Sequence, residues 1–280
     1  MKLSYMTRKS LLYKTAVEYW DWTINHIEWC THWCLFPCYA MMLAKRFWRI
    51  KTYDERREIK IVQNSLELLD IEIPKYKDKI KFVHMCFMTD PFMYDAKKKE
   101  VIPEVQEMTL NIIKKLNDNW IKATLLTKWL LPKEIIKMNL SKENEYGITL
   151  VSLNEKFRNK FEKYSSSYED RIASLKNLHD AWLKTWISME PFPSPALDDS
   201  LNDSKWIDKL LESISFVDKI IFGKLNYNVK VTQFKYSGNF YYDMADKVID
   251  FCEKKGIEYH IKQWTQKQYN KKTEKVFVCR

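Results

Sequence analysis

Short apolar runs rich in Val, Ile and Phe recur along this chain of 280 residues, and longer amphipathic segments separate them. Strands are expected over Thr23–Glu28, Ile80–Phe87, Ile121–Thr127, Ile148–Leu153, Leu183–Met189, Lys219–Phe222 and Glu258–Lys262, with a helix over Val105–Asn117. Strands that are apolar on both faces belong in a parallel sheet, because the helical crossovers joining them cover those faces. The pattern therefore predicts an α/β fold, a full or partial (β/α) barrel whose strand ends meet at one mouth. Polar residues cluster at or just past the expected strand ends: Thr89, Asp90, Lys128, Ser152, Arg171 and Glu190, with Cys30 close behind the first run. Residues 1–262 are expected to form a single domain, followed by a basic extension over 263–280. No stretch of about 18 apolar residues occurs, so no membrane span is expected.

Three of the six cysteines lie in one stretch, Cys30-Thr-His-Trp-Cys34-Leu-Phe-Pro-Cys38, followed at once by Tyr39-Ala40. Thiols packed this closely suit a shared metal centre. An iron–sulfur cubane has four irons, and three protein sulfurs leave one iron open to a substrate or cofactor. Structural zinc usually takes two separated pairs of ligands, and His32 between two cysteines makes a poor fourth donor. A disulfide framework is not expected in a chain of this length without a secretory signal. Cys86, on an expected strand, reads as a buried thiol. His26, His84, His179 and His260 show no ligand spacing.

The segment Cys30-x3-Cys34-x3-Cys38-Tyr39-Ala40 resembles the cluster loop of the radical S-adenosylmethionine superfamily, and its spore-photoproduct-lyase-like branch in particular. That branch usually spaces its ligands by three residues and then two; here the second gap is also three, with Phe36-Pro37 before the last cysteine. Further similar elements follow in order: Met88-Thr89-Asp90-Pro91-Phe92, Thr127-Lys128, the run ending at Ser152, Glu169-Asp170-Arg171, and Met189-Glu190-Pro191. The resemblance implies a radical SAM type of barrel. It also implies a 4Fe–4S cluster held by Cys30, Cys34 and Cys38, with the amino and carboxylate groups of S-adenosylmethionine on the open iron. In such enzymes one electron cleaves the sulfonium C–S bond and releases a 5′-deoxyadenosyl radical, which takes hydrogen from a substrate. By the same resemblance Tyr39 would lie against the adenine or pack beneath the loop. Thr89 and Asp90 would accept from the methionine amino group, or else cap a helix. Arg171 would clamp the methionine carboxylate, unless it is an ordinary surface charge beside Glu169 and Asp170. Lys128 and Ser152 rest on strand-end placement, and Glu190 would face the substrate or the ribose hydroxyls.

Tryptophan is abundant and glycine scarce, eleven against four. Three helix-to-strand junctions read alike: Asn117-Asp-Asn-Trp120-Ile-Lys, His179-Asp-Ala-Trp182-Leu-Lys and Glu253-Lys-Lys-Gly256-Ile-Glu. A left-handed residue, normally glycine, is expected at that point. Trp29 and Trp33 precede cluster cysteines where relatives usually have glycine, and Trp48 and Trp129 look similarly placed. Two readings stand: tryptophans used for packing, or UGA codons translated as glycine in the source and written as tryptophan.

The formal charge of +10 allows an anionic partner such as nucleic acid, although the lysines are spread along the chain without a DNA-reading motif. The expected function is a cytoplasmic radical SAM enzyme of unnamed substrate, fed by a one-electron reductant such as ferredoxin or flavodoxin. The alternative is a non-catalytic iron–sulfur or zinc protein associated with nucleic acid. A narrower variant of the first reading is repair of pyrimidine lesions in DNA.

Overall fold

The structure is a computed structural model and describes residues 3–36, 38–95, 100–203, 205–235 and 237–266. Pro37, the lysines at 97–99 and most of the expected basic extension lie outside the described residues; within it, Gln263–Gln266 forms a helical turn.

Eight strands build the main sheet, numbered here in chain order: β1 (Leu12–Lys14), β2 (Trp22–Ile24), β3 (Phe82–Met85), β4 (Lys122–Thr127), β5 (Glu145–Thr149), β6 (Lys184–Phe192), β7 (Lys219–Lys224) and β8 (Glu258–Ile261). Their spatial order follows the sequence, β8-β7-β6-β5-β4-β3-β2-β1. Every pairing from β2 to β8 is parallel, and β1 adds antiparallel to β2. The helices Pro103–Asp118, Tyr168–Asp180 and Ser237–Lys255 pack on strands of this sheet, as apolar crossovers require. Pro103 opens the first of them, where a missing N–H costs nothing.

The sheet is α/β as expected, but its edge strands β1 and β8 are not paired with each other, so strand pairing does not close a full barrel. Side chains from the turn between β1 and β2 occupy that side instead. Glu18 accepts from the Gln263 amide at 2.9 Å, and Tyr19 donates to Glu190 Oε2 at 3.1 Å. Trp20 stacks on His84 with ring centroids 3.9 Å apart and meets Trp186 edge-on. Trp186 reaches inward over Gly147, where a Cβ would stand 2.3 Å from the indole. Only glycine fits there.

Two expected strands change shape. Thr23–Glu28 divides at Asn25-His26: β2 stays in the main sheet, while Ile27–Glu28 joins a small sheet with Ser4–Met6 and Lys60–Val62. The run Ile148–Leu153 is displaced, because β5 begins at Glu145. That residue reads as loop in sequence, yet pairs with Lys122 and Lys219 on its neighbours.

The helix ends explain the tryptophans. At Trp48, Trp120 and Trp182 φ is 56°, 65° and 62°, against 69° at Gly256. Each residue donates back to a helix carbonyl: Trp48 to Lys45, Trp120 to Asn117 and Trp182 to His179. The next amide reaches one residue deeper (Arg49 to Ala44, Ile121 to Leu116, Leu183 to Leu178, and Ile257 to Cys252), which is the Schellman pattern. Trp29 is also left-handed, at 71°. Trp33 and Trp129 are not; they stack on Tyr53 and Tyr94, so the backbone makes no demand for glycine at those two positions.

Two buried histidines set an acid limit. His26 binds Thr109 Oγ1 at 2.8 Å and His84 binds Thr124 Oγ1 at 2.9 Å. Burial pushes both rings down to about 3, with Arg8 adding to the effect at His26. Unfolded histidines bind protons below about 6.5 while these two do not, so the unfolded state gains protons and stability falls as pH drops from there toward about 3. The expected slope approaches about 2.7 kcal/mol per pH unit for the pair. Urea midpoints of the metal-free protein at pH 7 and pH 5 measure it; equal midpoints would contradict the burial of both rings.

Candidate active site

The thiol loop is held by the short helices Tyr53–Arg56 and Glu155–Phe161. The Cys30 amide donates to Arg56 O at 3.0 Å, the Leu35 amide to Phe161 O at 2.8 Å, and the Tyr53 hydroxyl to Cys34 O at 2.8 Å. Cys38 then caps the helix Tyr39–Arg46, accepting the Met42 amide on its carbonyl. Cys30 and Cys34 are buried, Cys38 is half-buried, and all three are free thiols. They line one cavity of about 470 Å³ at the C-terminal ends of the parallel strands.

Arg56 lies against them. Its Nη1 donates to Cys38 Sγ and its Nη2 to Met88 O, both at 3.0 Å. Burial works against its charge, but the sulfurs of Cys38, Cys30 and Cys34 outweigh that and hold its pKa up. Burial pushes Cys30 up to about 12, with Arg56 pulling the other way, and raises Cys34 well above its usual value, with Lys128 opposing. Thiols so deeply buried ionise only when more positive charge arrives, and metal ions supply it, since the thiolate is the ligating form. Among the described residues no three His, Cys, Asp or Glu side chains close on a single-ion site. Three thiols lining one cavity can each supply one iron of a cubane and leave the fourth open. The donor set fits a cubane.

Tyr39, Thr89, Asp90, Lys128 and Glu190 line the same cavity. Tyr39 is 56 % exposed at its rim. Thr89 donates to Trp29 O, tying the strand end to the thiol loop. Asp90 spends both oxygens on the protein. Oδ1 accepts from the Phe92 amide and Thr127 Oγ1, while Oδ2 accepts from the Lys128 amide and lies 3.0 Å from His32 Nε2. Burial alone would raise this carboxyl, yet His32 and the backbone donors hold it below the usual carboxylate range. Glu190 accepts from Lys262 Nζ at 2.6 Å and from Tyr19.

Two expected residues lie elsewhere. Arg171 is fully buried and turned from the cavity: Nη1 donates to Thr149 O, Nε to Ser166 O, and Nη2 to Glu162 and Ser165. It is neither a surface charge nor placed to clamp a carboxylate in the cavity. Ser152 is buried as well, bonded to Asp198 and the Asn154 amide. Sequence reasoning missed Arg56, Glu162, Tyr19 and Lys262, which no motif marks. His32, rejected as a ligand, has both ring nitrogens engaged, by Tyr164 O and Asp90. Cys86 is buried with φ of 67° and lines the cavity beside Phe87.

No protein-family profile and no curated protein sequence matches the chain. Solved structures do. A spore photoproduct lyase variant with bound S-adenosylmethionine and dinucleoside spore photoproduct superposes with TM-score 0.68 at 12% identity, over 92% of this chain and 81% of the other. Spore photoproduct lyase complexed with the dinucleoside alone gives TM-score 0.69 at 12% identity over the same shares. SuiB of Streptococcus suis, bound to S-adenosylmethionine, gives 0.58 at 13% identity, over 91% of this chain and 50% of that one. The fold is similar to that of spore photoproduct lyase and of SuiB.

Proposed function

We infer that the chain is a radical SAM iron–sulfur enzyme that reductively cleaves S-adenosylmethionine and acts on a further substrate with the 5′-deoxyadenosyl radical. One observation carries the reading: three free thiols from one loop, two buried and one half-buried, open into a cavity at the strand ends of this particular fold. Cys30, Cys34 and Cys38 would hold the cluster, which when bound supplies the electron and an open iron for the methionine group. The chain's own residues do the rest. Arg56 offsets thiolate charge beside Cys38. Asp90 fixes the ends of β3 and β4 against each other through Thr127 and the Lys128 amide, so it acts as a positioning residue. Tyr39, Thr89, Lys128 and Glu190 are assigned to S-adenosylmethionine and substrate, on their place in the cavity wall. Trp20, Phe87 and Tyr19 line the same cavity with aromatic surface, which would limit water there, as radical chemistry requires.

The architecture is taken as a partial (β/α) barrel in one domain spanning 1–262, working in the cytoplasm with a ferredoxin- or flavodoxin-like reductant. The substrate stays open between classes. The spore photoproduct lyase structure contains a dinucleoside photoproduct, which favours pyrimidine-lesion repair, whereas SuiB is also solved with a precursor peptide. The non-catalytic nucleic-acid reading keeps only the net charge in its favour.

Anaerobic reconstitution with iron and sulfide, followed by dithionite and S-adenosylmethionine, tests the assignment. The parent is expected to bind four irons and form 5′-deoxyadenosine, and Cys34→Ala to lose both. A parent that loads zinc alone, or forms no 5′-deoxyadenosine, would sink it.

A further inference from the structure

The outer side of the thiol loop carries a second concavity. A groove of about 360 Å³ runs between Leu35-Phe36, the helix Glu155–Phe161 and the segment 227–230. Its walls are apolar: Leu35, Phe36, Phe161, Leu197 and Val229. Lys160 and Lys230 stand exposed among its lining residues, and no carboxylate lines it. Leu35, Tyr227 and Val229 remain 42%, 71% and 65% exposed. The basic character continues across the loop, where Lys163 lies 5.4 Å and Arg57 4.4 Å from the Tyr164 ring.

Phe36 decides what this surface is for. It is 2% exposed and lines both the groove and the thiol cavity, and it follows Cys34 by two residues. Tyr227 also lines both, so the groove adjoins the thiol site through these two rings. The mouth of the cavity must admit S-adenosylmethionine and substrate, and the convex side is covered by helices.

We propose that this groove and its lysine rim form the docking surface for an acidic one-electron carrier protein. The inference rests on the enzymatic reading above. Redox encounters use small interfaces, apolar at the centre and steered by opposite charge, which is the character of this patch. Nucleic acid would also favour the lysines, but the body of the groove is Leu35, Phe36, Phe161, Leu197 and Val229, with Tyr227 and Asn228 as the uncharged polar residues of its lining.

The test uses reconstituted holoprotein and two reductants, dithionite and a reduced acidic flavodoxin. In the Lys160→Glu/Lys230→Glu variant, cleavage driven by flavodoxin is expected to fall at least about tenfold at low salt, with the gap closing as salt rises. Dithionite-driven cleavage is expected to match the parent, because neither lysine lines the thiol cavity. Should charge reversal harm folding, the Lys160→Gln/Lys230→Gln pair is expected to show a smaller loss of the same kind. Equal flavodoxin rates in parent and variants, with dithionite cleavage intact, overturn the docking surface alone. Unchanged flavodoxin rates with lost binding of single-stranded DNA do the same and assign the patch to nucleic acid. Absent dithionite cleavage in the parent refutes the enzymatic reading itself.

Discussion

Replacing Trp48, Trp120 and Trp182 together by glycine is expected to stabilise the protein by about 2 kcal/mol, or roughly 3–4 °C in melting temperature. Each residue sits at the left-handed position of a Schellman motif, where a Cβ clashes with the backbone at a cost of about 1–2 kcal/mol. Glycine returns part of that gain through the larger entropy of its unfolded chain, about 0.4–1 kcal/mol per site. The three indoles are 92%, 94% and 89% exposed, so removing them forfeits little burial. Gly256 is the internal control: it occupies the same position in the same motif, with nothing within 4 Å of a built Cβ. Gly256→Ala should therefore destabilise by about 1 kcal/mol through the backbone alone. Thermal unfolding of the triple variant and of Gly256→Ala measures both. A triple variant no more stable than the parent would mean that these helix ends are not left-handed.

The same geometry bears on how the sequence is written. Trp29, Trp48, Trp120 and Trp182 are all left-handed, which a bulky residue rarely accepts. If the source reads UGA as glycine, these four positions are where UGA is expected. UGG at all four would make the tryptophans native and the strain genuine. Trp33 and Trp129 stand apart, since their ring stacking gives a packing reason for an indole.

What the sequence revealed and what it hid divide along physical lines. The parallel strands announced themselves through apolar runs, because burial on two faces leaves no polar alternation to confuse the period. β5 was displaced because its first residue, Glu145, is charged, and only the lysines of neighbouring strands make it a strand residue. The thiol trio was legible as a local pattern. Arg56, by contrast, reaches Cys38 from a short helix that carries no motif, so only the fold brings it there. Arg171 was misread for a related reason: flanked by Glu169 and Asp170 it resembles a solvated charge or a ligand clamp, while its partner Glu162 lies nine residues earlier. Nor did any period mark residues 15–21, whose aromatic side chains close the concave face through contacts with β3, β6 and β8.

Glu162→Gln is expected to cost about 3–5 kcal/mol, the largest loss from any single substitution considered. The carboxylate is fully buried between Arg171, also fully buried, and Lys128, whose ammonium is mostly so. Burial alone would raise its pKa, but Arg171 and then Lys128 lower it to about 2. Because the folded value lies below the unfolded one, its contribution is complete above about 4.5 and disappears as pH falls toward about 2. The neutral amide leaves Arg171 charged and enclosed, with only Thr149 O, Ser165 and Ser166 O for partners. Its rigidity reaches the cavity, since Lys128 binds Glu162 through Nζ and Asp90 through its amide. Adding Arg171→Met should recover a large part of the loss, because the stranded charge goes with it. Urea unfolding of the single and double variants near pH 7 reads the coupling directly. A single-variant loss below about 1 kcal/mol would show that water reaches this triad and that the wall behind Lys128 is not closed.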